Sequence, residues 1–417
     1  MNSPFVGRRQ AGAIGLILLL YAVLIVLRMP SIVLHGRFWA EEGTVFFAQA
    51  WSRPPLDVLF HSHGGYLNLV ANVAALAARW WLPLEEAPYG TIGAGLLFQL
   101  LPPLLLLLAR DAWLQDWRVR AAGIVLLLFV PAADEIWLQT LHCQFELTLA
   151  SALVLALDVP RGGRAALAWA VLALAPLSGP GAMVLLPLFA LRSVLERSRE
   201  RGVQGAVLLG ATLVQLVLFF HGEPGRRFSI SPAALLTVVA MKHLVVPFLG
   251  AHAAGSVAAS WREALAAGRV PAVALLSAGA AFLLLAWVVA WTRNVVGAWL
   301  LAAAALVGGA SYGGALGGAA DLMSPFVGER YAFVPQSLLG LAILSLATGP
   351  VRLVRVVAGA VCAWLLVVGV QQYRRPWSAV AYGPDWRAQV AAWREDPSHA
   401  LRLWPQTWTM TLKSANH

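Results

Sequence analysis

Residues 11–27 read AGAIGLILLLYAVLIVL, a run without a charge, preceded by Arg8 and Arg9 and followed by Arg28, Met29 and Pro30. A membrane-crossing helix needs about 20 predominantly apolar residues, and with Arg28 to Pro30 beyond it no small-x-small cleavage site follows. The stretch therefore predicts a retained first transmembrane helix rather than a signal peptide, with the N-terminus in the cytoplasm.

Outward from this run, comparable segments recur along the chain. Residues 11–34, 90–109, 121–138, 145–159, 164–178, 181–195, 203–220, 271–291, 294–312, 331–348 and 352–372 qualify outright or marginally, which makes eleven. The fold class expected is an all-α polytopic membrane protein of about eleven spans. Composition agrees: of 417 residues 59% are hydrophobic and 12% charged, and the mean hydropathy is +0.72. A soluble domain carries about 25% charged residues, so the polar surface of a water-soluble globule is missing. Long apolar runs exclude disorder and collagen, and two cysteines, Cys143 and Cys362, both in apolar runs, exclude a disulfide scaffold.

The net charge is +10, and only Lys242 and Lys413 among the 30 cationic side chains are lysines. These arginines stand between apolar segments, as orienting helices in a bilayer requires, and no nucleic-acid partner is expected. Alternate gaps hold them: Arg110, Arg118 and Arg120; Arg161 and Arg164; Arg192, Arg197, Arg199 and Arg201; Arg293; Arg352 and Arg355. One alternation puts all of these in the cytoplasm, and an odd number of spans leaves the tail outside. Two apolar stretches, 66–82 and 233–250, would invert that order as single spans. They are placed on the outer face as interfacial or re-entrant helices, and a pair of short spans in each place would preserve the parity equally. The division expected is a transmembrane module over 1–372, with long outer loops at 35–89 and 221–270, and a short outer Trp-rich segment over 373–417. No internal repeat and no Gly-rich nucleotide-binding turn is present, so an activated substrate should arrive through the membrane.

Chemistry is therefore expected in the outer segments. Glu41 and Glu42 follow the first span among Phe38, Trp39, Phe46, Phe47 and Trp51. A carboxylate there could serve as general base; equally, the pair could begin a helix whose dipole favours acids. Neighbours on a helix diverge by about 100°, so at most one should point into a site. His61, His63, Tyr66 and Asn68 bring polar groups back to the surface around Gly64 and Gly65, and read as substrate contacts rather than metal ligands. A helix entered at Asp134 would put Gln139, His142 and Glu146 on one stripe, facing the protein interior or a cavity as a hydrogen-bond cluster or as substrate-binding groups. A helix break at 176–181 either lines a cavity or turns between two short spans. Gly328-Glu329-Arg330-Tyr331 opens the tenth span, where Arg330 could grip a phosphate or snorkel. Arg226 and Arg227 carry the same two readings, and Lys242 and His243 lie in the outer stretch. Residues 385–396 are patterned as a short amphipathic helix on the outer membrane surface, which could cap a site from above.

With these residues in place, the arrangement resembles the GT-C superfamily of integral-membrane glycosyltransferases. Trp39-Ala40-Glu41-Glu42-Gly43 is similar to the superfamily's acidic motif in the first outer loop. His63-Gly64-Gly65-Tyr66-Leu67 sits where many members have a His/Lys-Pro-Pro-Leu element, with Gly-Gly in place of Pro-Pro. Gly328–Tyr331 resembles the outer arginine segment that contacts the carrier phosphate. The resemblance implies a bacterial inner-membrane enzyme with its site on the periplasmic face, which moves a sugar from a polyprenyl-phosphate-linked donor to a glycan, lipid or protein acceptor with inversion. It implies Glu41, with Glu42 as substitute, as the base. Arg330, with Tyr331 beside it and helped by Lys242, Arg226 or Arg227, would bear on the leaving phosphate. A divalent metal could be held by the acids but is not required, and no cofactor is implied. The rival readings are a lipid-linked oligosaccharide flippase, which would usually show paired halves; an O-antigen-type polymerase, centred on arginine-rich loops; and a structural membrane protein.

Overall fold

The computed structural model describes residues 8–221, 232–269, 271–315 and 319–413. The chain is an all-α polytopic membrane protein. Among the described residues seven helices are long and apolar enough to cross a bilayer: Gln10–Arg28, Leu84–Leu108, Arg199–Phe220, Pro232–Leu249, Ala272–Trp291, Val295–Gly313 and Arg352–Tyr373. A further pair, Gly163–Leu177 and Pro180–Glu196, meets at a 116° bend. The break falls at Gly179, whose φ of 154° and close approach to the Gln144 side chain leave no room for a Cβ.

At the centre stands Cys143–Ala156, with 13 of its 14 residues buried. A helix buried on all sides stands inside the bundle. At about 21 Å it is shorter than the hydrocarbon layer, and it packs against its neighbours rather than lipid. The first helix is the opposite case, exposing Leu16, Leu19, Leu20 and Leu27. Glu329–Leu346 also lies in the core, with only three of its 18 residues not buried.

Successive helices run between two ends. The lower end gathers the turns near 109–116, 157–162, 197–198, 292–294 and 347–351, and with them the arginine clusters. Here the side chains close helix C-termini. Arg120 and Arg164 donate to the carbonyls of Leu107, Leu108 and Ala109, while Arg201 donates to those of Val154 and Leu157. The last carbonyls of a helix lack intrahelical donors, and a guanidinium satisfies them while favouring the negative end of the dipole.

The upper end is built differently. The apolar run at 121–138 and the helix expected from Asp134 are corrected: Trp117–Leu128 stops at Leu128, and the next helix begins only at Cys143. Between them the chain is irregular apart from one 3-10 turn, Asp134–Ile136, with Ala132 and Leu138 in the left-handed region at φ of 53° and 60°. Residues 130–142 are all buried. Non-helical backbone at membrane depth persists only where protein groups satisfy it. Those groups come from the surrounding elements: Arg37 donates to the Trp137 carbonyl at 2.5 Å, Gln99 to that of Ile136 at 3.1 Å and Asn68 to that of Leu141 at 3.2 Å, while Glu329 accepts the Asp134 N–H at 2.7 Å.

Of the two stretches expected on the outer face, Leu69–Trp81 is 13 residues long, about 20 Å, and too short to span. Pro232–Leu249 does reach spanning length. Its contacts nevertheless fall on the upper halves of its neighbours. His243 bonds the Tyr312 hydroxyl, the Lys242 carbonyl accepts from Gln336, and a Cβ on Gly250 would meet Val368.

His63 and Tyr66 face each other across a two-residue hairpin whose Gly64 and Gly65 have φ of 61° and 85°. Two successive positive φ values define the I′ turn, which explains glycine at both places. In the tail, Trp386–Glu395 forms the expected amphipathic helix, capped by Asp385. Its apolar face is not turned to a membrane surface: Trp386, Val390 and Trp393 are buried with Phe38, Phe47 and Leu84. The Trp404 carbonyl accepts the Ala40 N–H at 2.5 Å, fastening the tail to the backbone just before Glu41.

Candidate functional site

Ala40 has φ of 41°, and from Glu42 to Phe47 the chain makes a π-helical turn. This kink separates the two adjacent carboxylates. Glu42 is fully buried: it accepts the Thr140 N–H at 2.7 Å, the Thr140 hydroxyl at 2.6 Å and the Trp39 N–H at 3.2 Å. Burial raises its pKa, and the Thr140 bonds partly offset that. Glu42 thus anchors the first loop to the buried 129–142 segment. Glu41 is half-buried, with no hydrogen bond or ion pair among the described residues, and lies within electrostatic reach of Arg330.

Arg330 is paired from behind. Its Nη1 reaches Glu135 Oε1 at 2.5 Å, its guanidinium lies 4.8 Å over the Tyr331 ring, and its side chain stays 24% exposed. Two further arginines of this end are enclosed. Arg28 is 3% exposed and bonds Asp134 at 2.8 and 2.7 Å. Arg37 is wholly buried, and burial, opposed by Glu42, lowers its pKa to about 9.

The Glu135 carbonyl accepts from His142 Nδ1 at 2.7 Å. A carbonyl can only accept, so Nδ1 carries the proton and Nε2 is left as an acceptor. Burial, reinforced by Arg330, lowers the His142 pKa to about 3, which keeps the ring neutral. Phe145 contacts both the His142 and Tyr331 rings edge-on, at 5.7 and 6.1 Å. Glu41, Glu135, Arg330, Tyr331 and His142 therefore converge from the first loop, the irregular segment and the start of the Glu329–Leu346 helix. They combine a free carboxylate, a partly exposed guanidinium and a neutral acceptor. That combination can take a proton, hold an anion and accept a hydroxyl.

No protein-family model matches the chain, and neither a curated protein nor a solved structure does.

The remaining residues singled out in the sequence divide. Tyr66 is joined to this end through Gln144 at 3.2 Å, and His63 packs edge-on against Phe46. His61 pairs with Gln49, while Asn68 caps Leu69–Trp81 and bonds the Leu141 carbonyl. Lys242 is wholly buried and donates to the carbonyls of Ser324, Pro325 and Val327 at 2.8, 3.1 and 2.8 Å. Three donors to three carbonyls make it a clamp on the turn before Glu329, which leaves no ammonium N–H for a phosphate. His243 is held by Tyr312. Glu146 is 2% exposed in the core helix, one carboxylate oxygen without a partner, and interacts with Tyr21 rather than continuing a stripe with His142, since the helix starts one residue after His142. Arg226 and Arg227 lie outside the described residues. No cluster of three or more metal-ligating side chains occurs among the described residues.

Sequence reasoning gave no role to Glu135, Asp134, Glu329, Arg28 or Arg37. The signal available was a second adjacent acidic pair, Asp134-Glu135, set like Glu41-Glu42 among apolar residues.

Proposed function

We propose that this chain is a GT-C-like glycosyltransferase of a bacterial inner membrane. It crosses the membrane an odd number of times, with a cytoplasmic N-terminus and its upper end and tail outside. The reaction moves a sugar from a polyprenyl-phosphate-linked donor to an acceptor hydroxyl of a glycan, lipid or protein. Glu41 takes the hydroxyl proton as the oxygen attacks the anomeric carbon. The bond to the phosphate oxygen breaks, and Arg330 stabilises the charge that the leaving phosphate gains. Tyr331 and Glu135 orient Arg330, and neutral His142 accepts a hydroxyl of a substrate.

The observation that carries this reading is the divergence of the two acids: Glu42 is fully bonded, whereas Glu41 stays unpaired near the partly exposed Arg330. A radiolabelled transfer assay with purified protein tests it. Glu41→Gln keeps the shape but cannot take the proton, so transfer should fall by about 10²–10⁴-fold, roughly 3–5 kcal/mol of barrier, with donor binding retained. Arg330→Ala should weaken donor binding. Wild-type transfer by Glu41→Gln would overturn the assignment and favour the flippase.

A further inference from the structure

The C-terminal tail reaches the candidate site through its backbone. Trp404 pairs with Trp39 as an isolated parallel bridge: its N–H donates to the Phe38 carbonyl at 3.2 Å, and its carbonyl accepts the Ala40 N–H at 2.5 Å. So short a bridge constrains its partner only if Trp404 is itself held. Its side chain is 1% exposed, and the indole N–H donates to the Pro384 carbonyl at 2.9 Å. A Cβ on Gly383 would fall 2.4 Å from three atoms of the ring, so a larger residue at 383 would unseat it. The wholly buried Arg37 lies 5.8 Å from the Trp404 ring and 5.3 Å from the Trp39 ring, which joins the side chains of the bridged pair.

What the bridge holds is a conformation that alanine does not favour. At φ of 41° Ala40 lies in the left-handed region, which a residue with a Cβ adopts at an energetic cost and keeps where its surroundings impose it. Both polar groups of its backbone are engaged. The carbonyl accepts the Gly43 and Thr44 N–H groups at 3.1 Å each and the Thr44 hydroxyl at 3.3 Å, bonds that belong to the π-helical turn itself. The N–H is the group held from a distant part of the chain, by Trp404. Glu41 comes next, and rotation about the Ala40 N–Cα bond swings every atom that follows. The left-handed φ therefore sets the direction of Glu41, while Glu42 is fixed separately by Thr140.

We propose that Trp404 is a positioning residue for Glu41: seated on Gly383, it imposes the left-handed conformation of Ala40, and that conformation aims Glu41 into the site. The inference rests on Glu41 being the base of the proposed transfer. It gives the tail a part in the site through backbone geometry, without a tail side chain touching substrate.

Two double-mutant cycles on the purified full-length protein test this, one read by thermal unfolding and one by sugar transfer. Gly383→Ala displaces the Trp404 ring; Trp404→Phe, which loses the bond to Pro384, is the milder displacement if Gly383→Ala yields no monodisperse protein. Ala40→Gly removes the conformational cost and leaves the tail untouched. In unfolding, Ala40→Gly should shift the midpoint more favourably in wild type than beside Gly383→Ala, because a seated Trp404 is what imposes the conformation. The lost methyl and the freedom of glycine in the unfolded chain enter both backgrounds alike. In transfer, Gly383→Ala should lower kcat about 10–100-fold, the effect of a small misplacement of a reacting group. Donor binding should be retained, since Arg330 is held by Glu135 and Tyr331 and not by the tail. Adding Ala40→Gly should restore most of the lost kcat, whereas a loss of packing alone would weaken donor binding as well and would not be restored by a glycine. Additive midpoint shifts, or a loss of kcat that Ala40→Gly does not restore, overturns the proposal. Wild-type transfer by Glu41→Gln would overturn the base assignment beneath it, and the unfolding cycle tests the link between Trp404 and Ala40 without any transfer.

Discussion

Arginines at the two ends of the bundle differ in how they are held. At the lower end Arg120 and Arg164, both half-buried, donate to backbone carbonyls that helix C-termini leave free, whereas Arg192 and Arg201 are buried and also share Glu196. At the upper end Arg28 and Arg330 are held by Asp134 and Glu135, which project from a buried irregular segment. Arg120 and Arg164 each contribute to one helix end and keep their charge near the surface, so removing either is a local loss. The Arg28–Asp134 pair is desolvated, and removal of one partner leaves the other charge buried and uncompensated. The same residue type, counted identically in any reading of charge along the chain, thus differs in consequence by several kcal/mol.

The largest effect that would sharpen this contrast is expected at Arg28. Arg28→Ala should destabilise the protein by about 3–5 kcal/mol, seen as a collapse of the thermal-unfolding midpoint in detergent or a loss of monodisperse protein. The Arg28→Ala/Asp134→Ala double variant should recover part of that loss, because no charge is stranded. A single variant as stable as wild type would break the comparison at its strongest point.

Next comes the contrast between neighbouring acids. Glu42→Gln should cost about 1–3 kcal/mol of stability, since an amide cannot accept all three of the bonds Glu42 receives and one of its N–H groups would face a donor. Glu41→Gln should change stability by no more than about 0.5 kcal/mol, as a substitution away from buried features does. Matched unfolding curves for the two variants read this directly, and a more damaging Glu41 substitution would reverse the roles given to the pair.

At the lower end Arg164→Gln should cost only about 0.3–1 kcal/mol, the usual size of a cation at a helix C-terminus. The smallest effect concerns pH. Burial, together with Asp158, raises the Asp111 pKa from an ordinary 3.8 to about 6. Ionised Asp111 therefore opposes folding above about pH 6. As pH falls from 6 toward 4 the folded state takes up a proton that the unfolded state does not, so wild type should gain stability relative to Asp111→Asn across that window. A constant difference between their unfolding midpoints from pH 7 to 4 would contradict the burial of this carboxylate.

Much of this architecture is legible in the chain because hydropathy is a local property. The run at 11–27 forms a lipid-exposed helix, the 3.6-residue pattern around Trp386 forms a helix, and Gly64-Gly65 forms a tight turn. Residues 129–142 were not legible. Apolar content cannot separate a buried helix from buried irregular chain, and Pro131, the one breaker there, sits beside acids that a helix could equally carry. The tail helix shows the same limit, since an amphipathic face does not say whether it meets lipid or protein; here it meets Phe38 and Leu84.

Of the candidate site, the sequence indicated Glu41, His142 and Arg330 but not how they differ from Glu42, Glu146 and Lys242. Membrane residence, the places of most helices and the gathering of arginines between them follow from residues that are neighbours along the chain, and the sequence by itself determined these. Which acid is free, which arginine stays exposed and which cation becomes a clamp were decided only in three dimensions. Glu42 is consumed by Thr140, 98 positions away, and Arg330 is aimed by Glu135, 195 positions away. Burial and pairing set what a charge can do, and both are properties of partners that only the tertiary fold brings within hydrogen-bond reach.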